Sequence, residues 1–571
     1  MKRKQEIVIG ILVIIVTVVI LGYILVEKIN TKENQENSIE SIDTNIELDN
    51  SDEDIDWSNY ETKNLTLTES ITITEEGIYE LSGEITNGMV TVNIKENVKL
   101  ILNNVTITNE SGPAIYIKNA KNTVIYLKEK TTNTLEDGST YQTDEDMNAT
   151  IYSKDNLIFD GSGTLVIKAN YQDAIVSKDN LKIKNGIFNI TSIDDGIRGK
   201  DSVYIIDGNF NIAAGGDGIK STNTGDKNKG YVYIENGNFE IDATLDGIQA
   251  ETKLLIKNGN YTIKTGNGST NNSKKDTWGN WGKTDSTDTK SAKGLKAGNN
   301  IVIEDGTFNL DTSDDSIHSN NYIGISNGTY SISSGDDGIH ADNEIIIEGG
   351  SIDIKESYEG IEAAKITIYN GDISVVSSDD GINVAGGSDS SSMNRPGANN
   401  YKENTTNTLT IYNGNIYVNA SGDGIDINGS GYIYGGVITV DGPTSNGDGA
   451  LDYDNELVVN GGTLIAAGSN GMLQTISSNS TQYNVTINLK TTYQKGTKIS
   501  ILDENNEEII SYTPTKSFAS IIVSTNKLSL SNTYTIKIDN ETYETFTISS
   551  ITTSVGNVGG MGRENNHGGR R

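Results

Sequence analysis

The stretch DDGIHADNEIIIEGGSIDIKES, residues 336–357, contains the pattern that decides the fold. Its 22 residues hold three short runs, GIHA, EIIIE and SIDIK, which are separated by turn residues. Apolar and polar side chains alternate within these runs, and a period of two predicts strands with one face inward and one outward. Three short strands cannot bury an apolar face alone, so neighbouring units must stack on one another.

Similar units recur through the middle of the chain. Each contains a glycine followed two residues later by an aromatic or aliphatic residue, and then an acidic residue followed by Gly-Ile. A propeller blade needs ~40–45 residues and a leucine-rich repeat needs its Leu/Asn pattern, and neither fits. The spacing predicts an all-β, right-handed parallel β-helix with coils of about 22 residues, each isoleucine lying ~4.8 Å from its equivalent in the next coil. The isoleucines that show this spacing are Ile175, Ile197 and Ile219, and then Ile317, Ile339 and Ile361.

The amino-terminal sequence predicts the location of the protein. Residues 7–26, IVIGILVIIVTVVILGYILV, carry no charge, and a helix of that length spans ~30 Å, the thickness of a bilayer core. Lys2, Arg3 and Lys4 precede this segment, so the positive-inside rule places the bulk of the chain outside the cell. We expect an uncleaved signal anchor in the cell membrane, and a cleaved signal peptide is the alternative.

Changes in composition delimit the other parts of the chain. Polar residues dominate before the repeats, and the Asp-Gly-Ile pattern stops before residue 482. The expected parts are a basic cytoplasmic tail (1–6), the transmembrane helix (7–26), an acidic linker (27–62), an N-terminal β cap with the first coils (63–135), the β-helix (136–480), a small antiparallel C-terminal β domain (481–550) and a disordered Gly/Arg tail (551–571).

Composition excludes several classes of site. The 571 residues carry a formal net charge of −34, which disfavours a nucleic-acid partner because phosphate neutralisation requires Lys and Arg. The absence of Cys excludes disulfides, thiolate metal sites and a cysteine nucleophile, and 3 His are too few for a histidine-rich metal site.

Stacked coils would align the acidic residues that precede Gly-Ile. Carboxylates ~4.8 Å apart repel each other, and one Ca²⁺ with oxygen ligands at ~2.3–2.6 Å could bridge two coils. Hard oxygen ligands favour Ca²⁺ over Zn²⁺. The alternative is that these side chains stabilise turns by bonding nearby backbone. The predicted calcium ligands are Asp194, Asp195, Asp217, Asp314, Asp315, Asp336, Asp337, Asp379 and Asp380.

The residue after each Gly-Ile should point outward, so that one exposed face carries a ladder of hydrogen-bonding groups. Two tryptophans in a polar insertion could stack on sugar rings, although packing back on the helix is the alternative for them. An ordinary solvated face is the alternative for the ladder. The predicted carbohydrate-binding residues are Trp278, Trp281, Arg198, Lys220, Gln249, Lys296, His318 and His340.

Residues 98–141, residues 149–186 and the DDGI repeats resemble a bacterial cell-surface family of carbohydrate-binding β-helix domains, whose fold is similar to that of pectate lyases. The resemblance covers about residues 64–550. It implies binding of an extracellular polysaccharide, cellulose or polygalacturonate-like, with bound calcium and no established catalysis.

Three functions remain open at this stage. The first is a membrane-anchored protein, expected to be a monomer, that docks polysaccharide on a calcium-stabilised face. The second is a Ca²⁺-dependent polysaccharide lyase in which Lys220, Lys296 or Arg198 takes the proton α to a uronate carboxylate. The third is a structural or adhesive surface protein with protein partners.

Overall fold

The computed structural model describes residues 39, 42–46, 48, 50, 55–142, 146–271, 291–385 and 406–556. Parallel strands form successive coils through most of that part, and each strand pairs with its equivalents in the previous and the following coil. A coil has three faces, called first, second and third in the order in which the chain crosses them after each acidic Gly-Ile unit. The predicted parallel β-helix is therefore confirmed for the described coils, and its right-handed sense stays a prediction.

The strands of each face are short. The first face comprises Ile71–Ile73, Val90–Asn93, Ile115–Asn119, Ala149–Ser153, Asp173–Ser177, Ile197–Gly199, Ile219–Ser221, Ile248–Ala250, Leu295–Ala297, Ile317–Ser319, Ile382–Val384, Ile425–Ile427 and Leu451–Tyr453. The second face comprises Thr62–Leu67, Asn122–Leu127, Asn156–Gly161, Asn180–Ile183, Ser202–Ile205, Tyr231–Ile234, Lys253–Ile256, Asn300–Ile303, Tyr322–Ile325, Thr408–Ile411, Ser430–Ile433 and Glu456–Val459.

The third face comprises Thr132–Asp137, Thr164–Ala169, Ile187–Ser192, Asn209–Ala214, Asn238–Ala243, Asn260–Thr265, Thr307–Thr312, Thr329–Ser334, Ser351–Glu356, Asp372–Ser377, Asn415–Ala420, Val437–Asp441 and Thr463–Gly468. Longer strands continue round a corner. Ile339–Ile347 and Ile361–Ile368 run from the first face into the second, and Gly77–Ile85 and Val98–Asn109 run from the second into the third. Two short 3-10 helices, Trp57–Asn59 and Ser269–Asn271, lie outside the faces.

Isoleucines stack in register along the interior, as the 22-residue spacing predicts. Ile317 pairs with Ile339, and Ile339 pairs with Ile361. All three side chains are fully buried. Each coil therefore covers the apolar face of its neighbour, and burial of this surface at roughly 25 cal/mol per Å² stabilises the stack.

Aromatic rings form a second buried stack beneath the third face. The rings of Phe210 and Phe239 lie 4.8 Å apart between centroids with 2° between their planes. The glycine two residues before each ring leaves room for it, because a Cβ at Gly208 would lie 2.8 Å from the Phe210 ring. Gly208 also has φ of 149°, which few L-residues adopt. The stacked rings are Phe188, Phe210, Phe239, Tyr261, Phe308 and Tyr330.

An antiparallel segment covers the last coil. The strand Phe518–Thr525 pairs antiparallel with Thr463–Gly468 on one side and with Asn484–Tyr493 on the other, and the latter pairs parallel with Thr552–Val555. A separate four-stranded antiparallel sheet packs beside it, and this arrangement pairs an edge that would otherwise be open. Its strands are Ile499–Leu502, Glu508–Tyr512, Thr533–Ile538 and Glu541–Thr547.

No helix within the described residues has the length and the apolar composition that crossing a membrane requires. The predicted anchor, residues 7–26, lies outside the described part of the chain, as do Trp278 and Trp281.

Candidate functional site

The acidic residues that precede Gly-Ile form a column along the helix, called here the acidic column. Asp173 Oδ1 accepts a hydrogen bond from the backbone N–H of Asp195 at 3.0 Å, and Asp195 Oδ1 accepts one from the N–H of Asp217 at 2.9 Å. These side chains thus have the backbone-bonding role that is the alternative to metal binding, although the bond joins two coils rather than the ends of one turn. The members are Asp173, Asp195, Asp217, Asp246, Asp315, Asp337, Glu359, Asp380 and Asp423.

A lysine interrupts the acidic column. The backbone N–H of Lys293 bonds to Asp246 Oδ1 at 2.8 Å, where the other coils have an acidic residue. Its ammonium lies 2.6 Å from Asp315 Oδ2 and 3.0 Å from Asp314 Oδ1. Burial by itself would raise the pKa of Asp315, but Lys293 and His318 hold that pKa well below its ordinary range. Lys293 is therefore an internal cation for a fully buried carboxylate.

The basic residues that follow Gly-Ile do not form an exposed face, which corrects the sequence prediction. Arg198 bonds to Asp173, the Lys220 ammonium lies 2.5 Å from Asp217 Oδ2, and the Lys296 ammonium lies 2.9 Å from Asp246 Oδ2. About a quarter or less of each basic side chain is exposed. These residues neutralise the acidic column because they lie on the first-face strand beside it.

Lys220 has the wrong electrostatic surroundings for a general base. Burial alone would lower the pKa of its ammonium, but the charges of Asp217 and Asp195 raise it above the ordinary value. A base must be unprotonated to take a proton from a sugar carbon. The lyase alternative therefore gains no support from the geometry of Lys220.

The two predicted histidines are buried rather than exposed, which is a second correction. His318 Nδ1 lies 2.8 Å from Asp315 Oδ2, and His340 Nδ1 lies 2.9 Å from Glu362 Oε2. Their rings stack with centroids 5.0 Å apart, and only 4% and 1% of the residues is exposed. Both histidines therefore pair with buried carboxylates and cannot present a ring to a bound sugar.

Gln249 lies in register between Lys220 and Lys296 on the first face. Its buried Oε1 atom has no hydrogen-bond partner among the described residues. Of the predicted carbohydrate-binding residues that the structure describes, Gln249 therefore keeps a polar side-chain atom without a hydrogen-bond partner.

Asp194 lies beside the column at its amino-terminal end. One carboxylate oxygen each of Asp194, Asp173 and Asp195 lie within 4.8 Å of one another. Arg198 already bonds to Asp173 there. The Arg198 guanidinium therefore supplies this group with the positive charge that a metal ion would otherwise provide.

A similar group contains Asp314, Asp315 and Asp336, with one oxygen from each within 4.8 Å of the others. This is the pairing that the uninterrupted coils predict, and the carboxylates do converge. Lys293 bonds to two of them. Asp337 in the next coil converges instead with His340 and Glu362.

The carboxy-terminal end of the column is different. Asp380, Asp423 and Asp426, called here the C-terminal acidic cluster, also place one oxygen each within 4.8 Å of one another. No Lys or Arg among the described residues forms an ion pair with any of them. Burial and neighbouring carboxylates, Asp379 among them, raise the pKa of Asp380 to about 9, of Asp423 to about 7 and of Asp426 to about 8. Three crowded acids without a cation make this the candidate metal site.

A buried amide adjoins the cluster. Asn383 is 5% exposed and lies in register between Glu362 and Asp426 on the first face. Its Nδ2 donates to Glu359 Oε2 in the preceding coil at 2.6 Å. Oδ1 has no hydrogen-bond partner in the described part of the chain. It adds a neutral oxygen of the kind that Ca²⁺ accepts.

Sequence reasoning missed three members of these sites. Lys293 was overlooked because KGL replaces the usual Asp-Gly-Ile in its coil, and aligning that triplet would have found it. Asp423 and Asp426 were not among the predicted metal ligands, although GDGID at residues 422–426 repeats the motif. The absence of a basic residue beside Asp423 and Asp426 is the sequence signal that would have distinguished this coil from the others.

Comparison with known proteins gives three matches. Residues 68–338 match a family described as carbohydrate-binding domain-containing protein. A protein of Acetivibrio thermocellus with the same description is 36% identical over 127 residues, which are 21% of this chain and 44% of the relative. A solved structure, described as that of the polysaccharide lyase-like protein from C. thermocellum in a gadolinium derivative, is 35% identical with a TM-score of 0.34, covering 35% of this chain and 82% of that one. The chain thus matches less than half the length of the curated relative.

We expect Lys293→Met to destabilise the β-helix by about 3–5 kcal/mol, because it leaves a buried carboxylate without its cation. Lys264→Met is the control, since Lys264 lies 3.7 Å from Asp311 in an ion pair with 48% and 43% of the side chains exposed, and such a pair contributes about 0–1 kcal/mol. Urea unfolding followed by circular dichroism measures both. Equal loss in the two variants would contradict the internal-cation role of Lys293.

Proposed function

We propose that the protein binds extracellular polysaccharide on its β-helix, because residues 68–338 match a family described as carbohydrate-binding domain-containing protein. We also propose that it holds Ca²⁺ in the C-terminal acidic cluster. The family match is the observation that carries the binding function. The cluster lies beyond residue 338, so its cation is proposed from the geometry of this chain alone.

The donors of the cluster fit Ca²⁺. Two oxygens on one Ca²⁺, each at ~2.3–2.6 Å, lie at most about 5 Å apart, and the three carboxylates already meet that limit. The oxygens are hard ligands, and the buried Asn383 Oδ1 is available beside them. Bound Ca²⁺ would supply positive charge to acids that now raise one another's pKa, and it could also attract a carboxylated sugar. The remaining acidic groups use Lys293, Arg198 and Lys220 for that purpose.

We also propose that residues 7–26 anchor the chain in the cell membrane with the β-helix outside. The support is the run of 20 uncharged residues behind Lys2, Arg3 and Lys4. Alkaline extraction of the membranes should leave the protein in the pellet, and its release into the supernatant would contradict an anchor.

Calcium binding should depend on pH and on Asp426. Below its raised pKa of about 8, the Asp426 carboxyl holds a proton that Ca²⁺ must displace, so affinity should be at least about tenfold weaker at pH 5 than at pH 8. Titration calorimetry of the full-length chain measures this affinity. Asp426→Asn should abolish tight binding, and Asp242→Asn, which changes an exposed third-face residue, should leave it unchanged.

Asp426→Asn also tests, in the absence of metal, whether the ionised Asp426 carboxylate destabilises the fold. A carboxyl whose pKa is raised by folding stabilises the fold below its unfolded pKa of ~3.9, and this contribution is lost as pH rises through about 8. In chelator, Asp426→Asn should therefore be more stable than wild type at pH 8 and equal to it at pH 4, as thermal unfolding would show. A variant that is less stable than wild type at pH 8 would remove the basis for the metal site.

Co-sedimentation tests the polysaccharide function. The full-length chain should pellet with insoluble cellulose or be retarded in gels that contain polygalacturonate, and chelator should weaken the interaction with the anionic polymer. Serum albumin serves as the non-binding control. Failure to bind any polysaccharide of a broad panel, with and without Ca²⁺, would overturn the proposal and favour a surface protein with protein partners.

A further inference from the structure

A polar groove of about 570 Å³ follows the corner between the second and third faces. The glycines that turn this corner form its floor, so no side chain fills it. Asparagines line one side and the first residues of the third-face strands line the other, and we call it the asparagine groove. Its lining residues that matter here are Asn370, Asn413, Ser351, Asp372 and Asn415.

The same corner is closed by internal hydrogen bonds in earlier coils. At the position equivalent to Asn370 and Asn413, the side-chain oxygens of Asn185 and Asn258 each accept a hydrogen bond from the N–H of the following glycine at 2.8 Å. In another coil, Asn236 Nδ2 donates to Asp207 Oδ1 at 3.5 Å, so internal bonds occupy these corner side chains. In the groove, the exposed side chains of Asn370 and Asn413 form no hydrogen bond with any described residue. The corner side chains before the glycines are thus internally hydrogen-bonded in earlier coils, whereas in the groove the amides of Asn370 and Asn413 are available to a ligand.

A ladder of tyrosines begins in the same coils, one residue before the asparagine positions. Tyr369 and Tyr412 precede Asn370 and Asn413, and their rings stack with centroids 5.0 Å apart. Tyr434 continues the stack at 5.3 Å and is 47% exposed.

Within the described part of the chain, Tyr434 is the last ring of the tyrosine ladder. The coil after Tyr434 carries Asn460 at the equivalent position, as the backbone bonds to Ile411 and Ile433 show, so the ladder of described rings does not continue into that coil. In the coil before Tyr369 the position is occupied by Glu348. A partly exposed aromatic ring one coil away from free amides suits a sugar, because the ring can pack on a C–H face while the amides bond the hydroxyls.

We propose that the asparagine groove binds one strand of a neutral polysaccharide along the helix axis, with its hydroxyls on Asn370 and Asn413 and a terminal contact on Tyr434. This inference deepens the proposed function and rests on it. Strands lie ~4.8 Å apart in the coil direction, close to the length of one pyranose residue, so successive sugars meet successive coils. The groove lining contains no Lys or Arg and does contain Asp372, which favours a neutral sugar over a uronate.

Titration calorimetry of the full-length chain with cellohexaose, xylohexaose and mannohexaose tests the groove. Wild type should bind at least one of these neutral probes. The double variant Asn370→Ala/Asn413→Ala should weaken that binding by about 30-fold, as loss of two hydrogen bonds of ~1 kcal/mol each predicts, and Tyr434→Ala should weaken it by at least about threefold. Ser351→Trp, which places a large side chain in the groove at an exposed strand position, should abolish it.

Two controls separate this proposal from the proposed function. Asn236→Ala changes the equivalent exposed corner residue in an earlier coil and should leave binding of the neutral probe unchanged. Binding of polygalacturonate with Ca²⁺ should persist in every groove variant. If wild type binds polysaccharide but the groove variants bind the neutral probes as wild type does, or if it binds only polygalacturonate, the groove is not the site although the function stands. If it binds no polysaccharide at all, both proposals fail.

Discussion

The hydrogen bond between a corner carboxylate and the backbone N–H of the equivalent residue one coil later is the constraint on which the rest of the structure depends. Asp173, Asp195 and Asp217 show it in three consecutive coils at 2.8–3.0 Å. It fixes the register at the corner, so that the isoleucine two residues later stacks on its equivalent. A buried carboxylate that lost this bond would be an unsatisfied acceptor at a cost of ~1–3 kcal/mol or more.

Using carboxylates for this purpose creates an electrostatic problem, because one negative charge is added with almost every coil. The first coils solve it with Arg198, Lys220 and Lys296 on the adjacent strand, and Lys293 enters the column itself. The histidine pair continues this compensation. The coils around Asp380 and Asp423 have no such partner among the described residues, and burial together with the neighbouring carboxylates raises the pKa values of both side chains. The carboxylate–backbone bond thus accounts both for a stable β-helix and for one place where a divalent cation fits.

The proposed sugar groove lies on a different corner from the acidic column, and it also arises from a local change in a repeated position. Asn185 and Asn258, which bond the N–H of the following glycine, show that a corner asparagine can serve the fold alone. Asn370 and Asn413 occupy the same position, form no side-chain hydrogen bond with a described residue and directly follow the stacked Tyr369 and Tyr412. A regular solenoid acquires a binding site in this way by sequence variation at exposed positions, while its buried stack stays constant.

The sequence by itself determined the coil. The 22-residue spacing of Ile317, Ile339 and Ile361 and the glycine before each stacked ring predict parallel strands, their register and the aligned corner acids, because these depend only on local periodicity. Only the tertiary structure decided which charges meet. Arg198 and His340 look exposed in a pattern of alternating residues, yet the coil before or after brings Asp173 and Glu362 against them. Contacts between coils join residues about 22 positions apart, and side-chain length and the identity of the neighbour, rather than period, set whether a carboxylate finds an ammonium, another acid or open space.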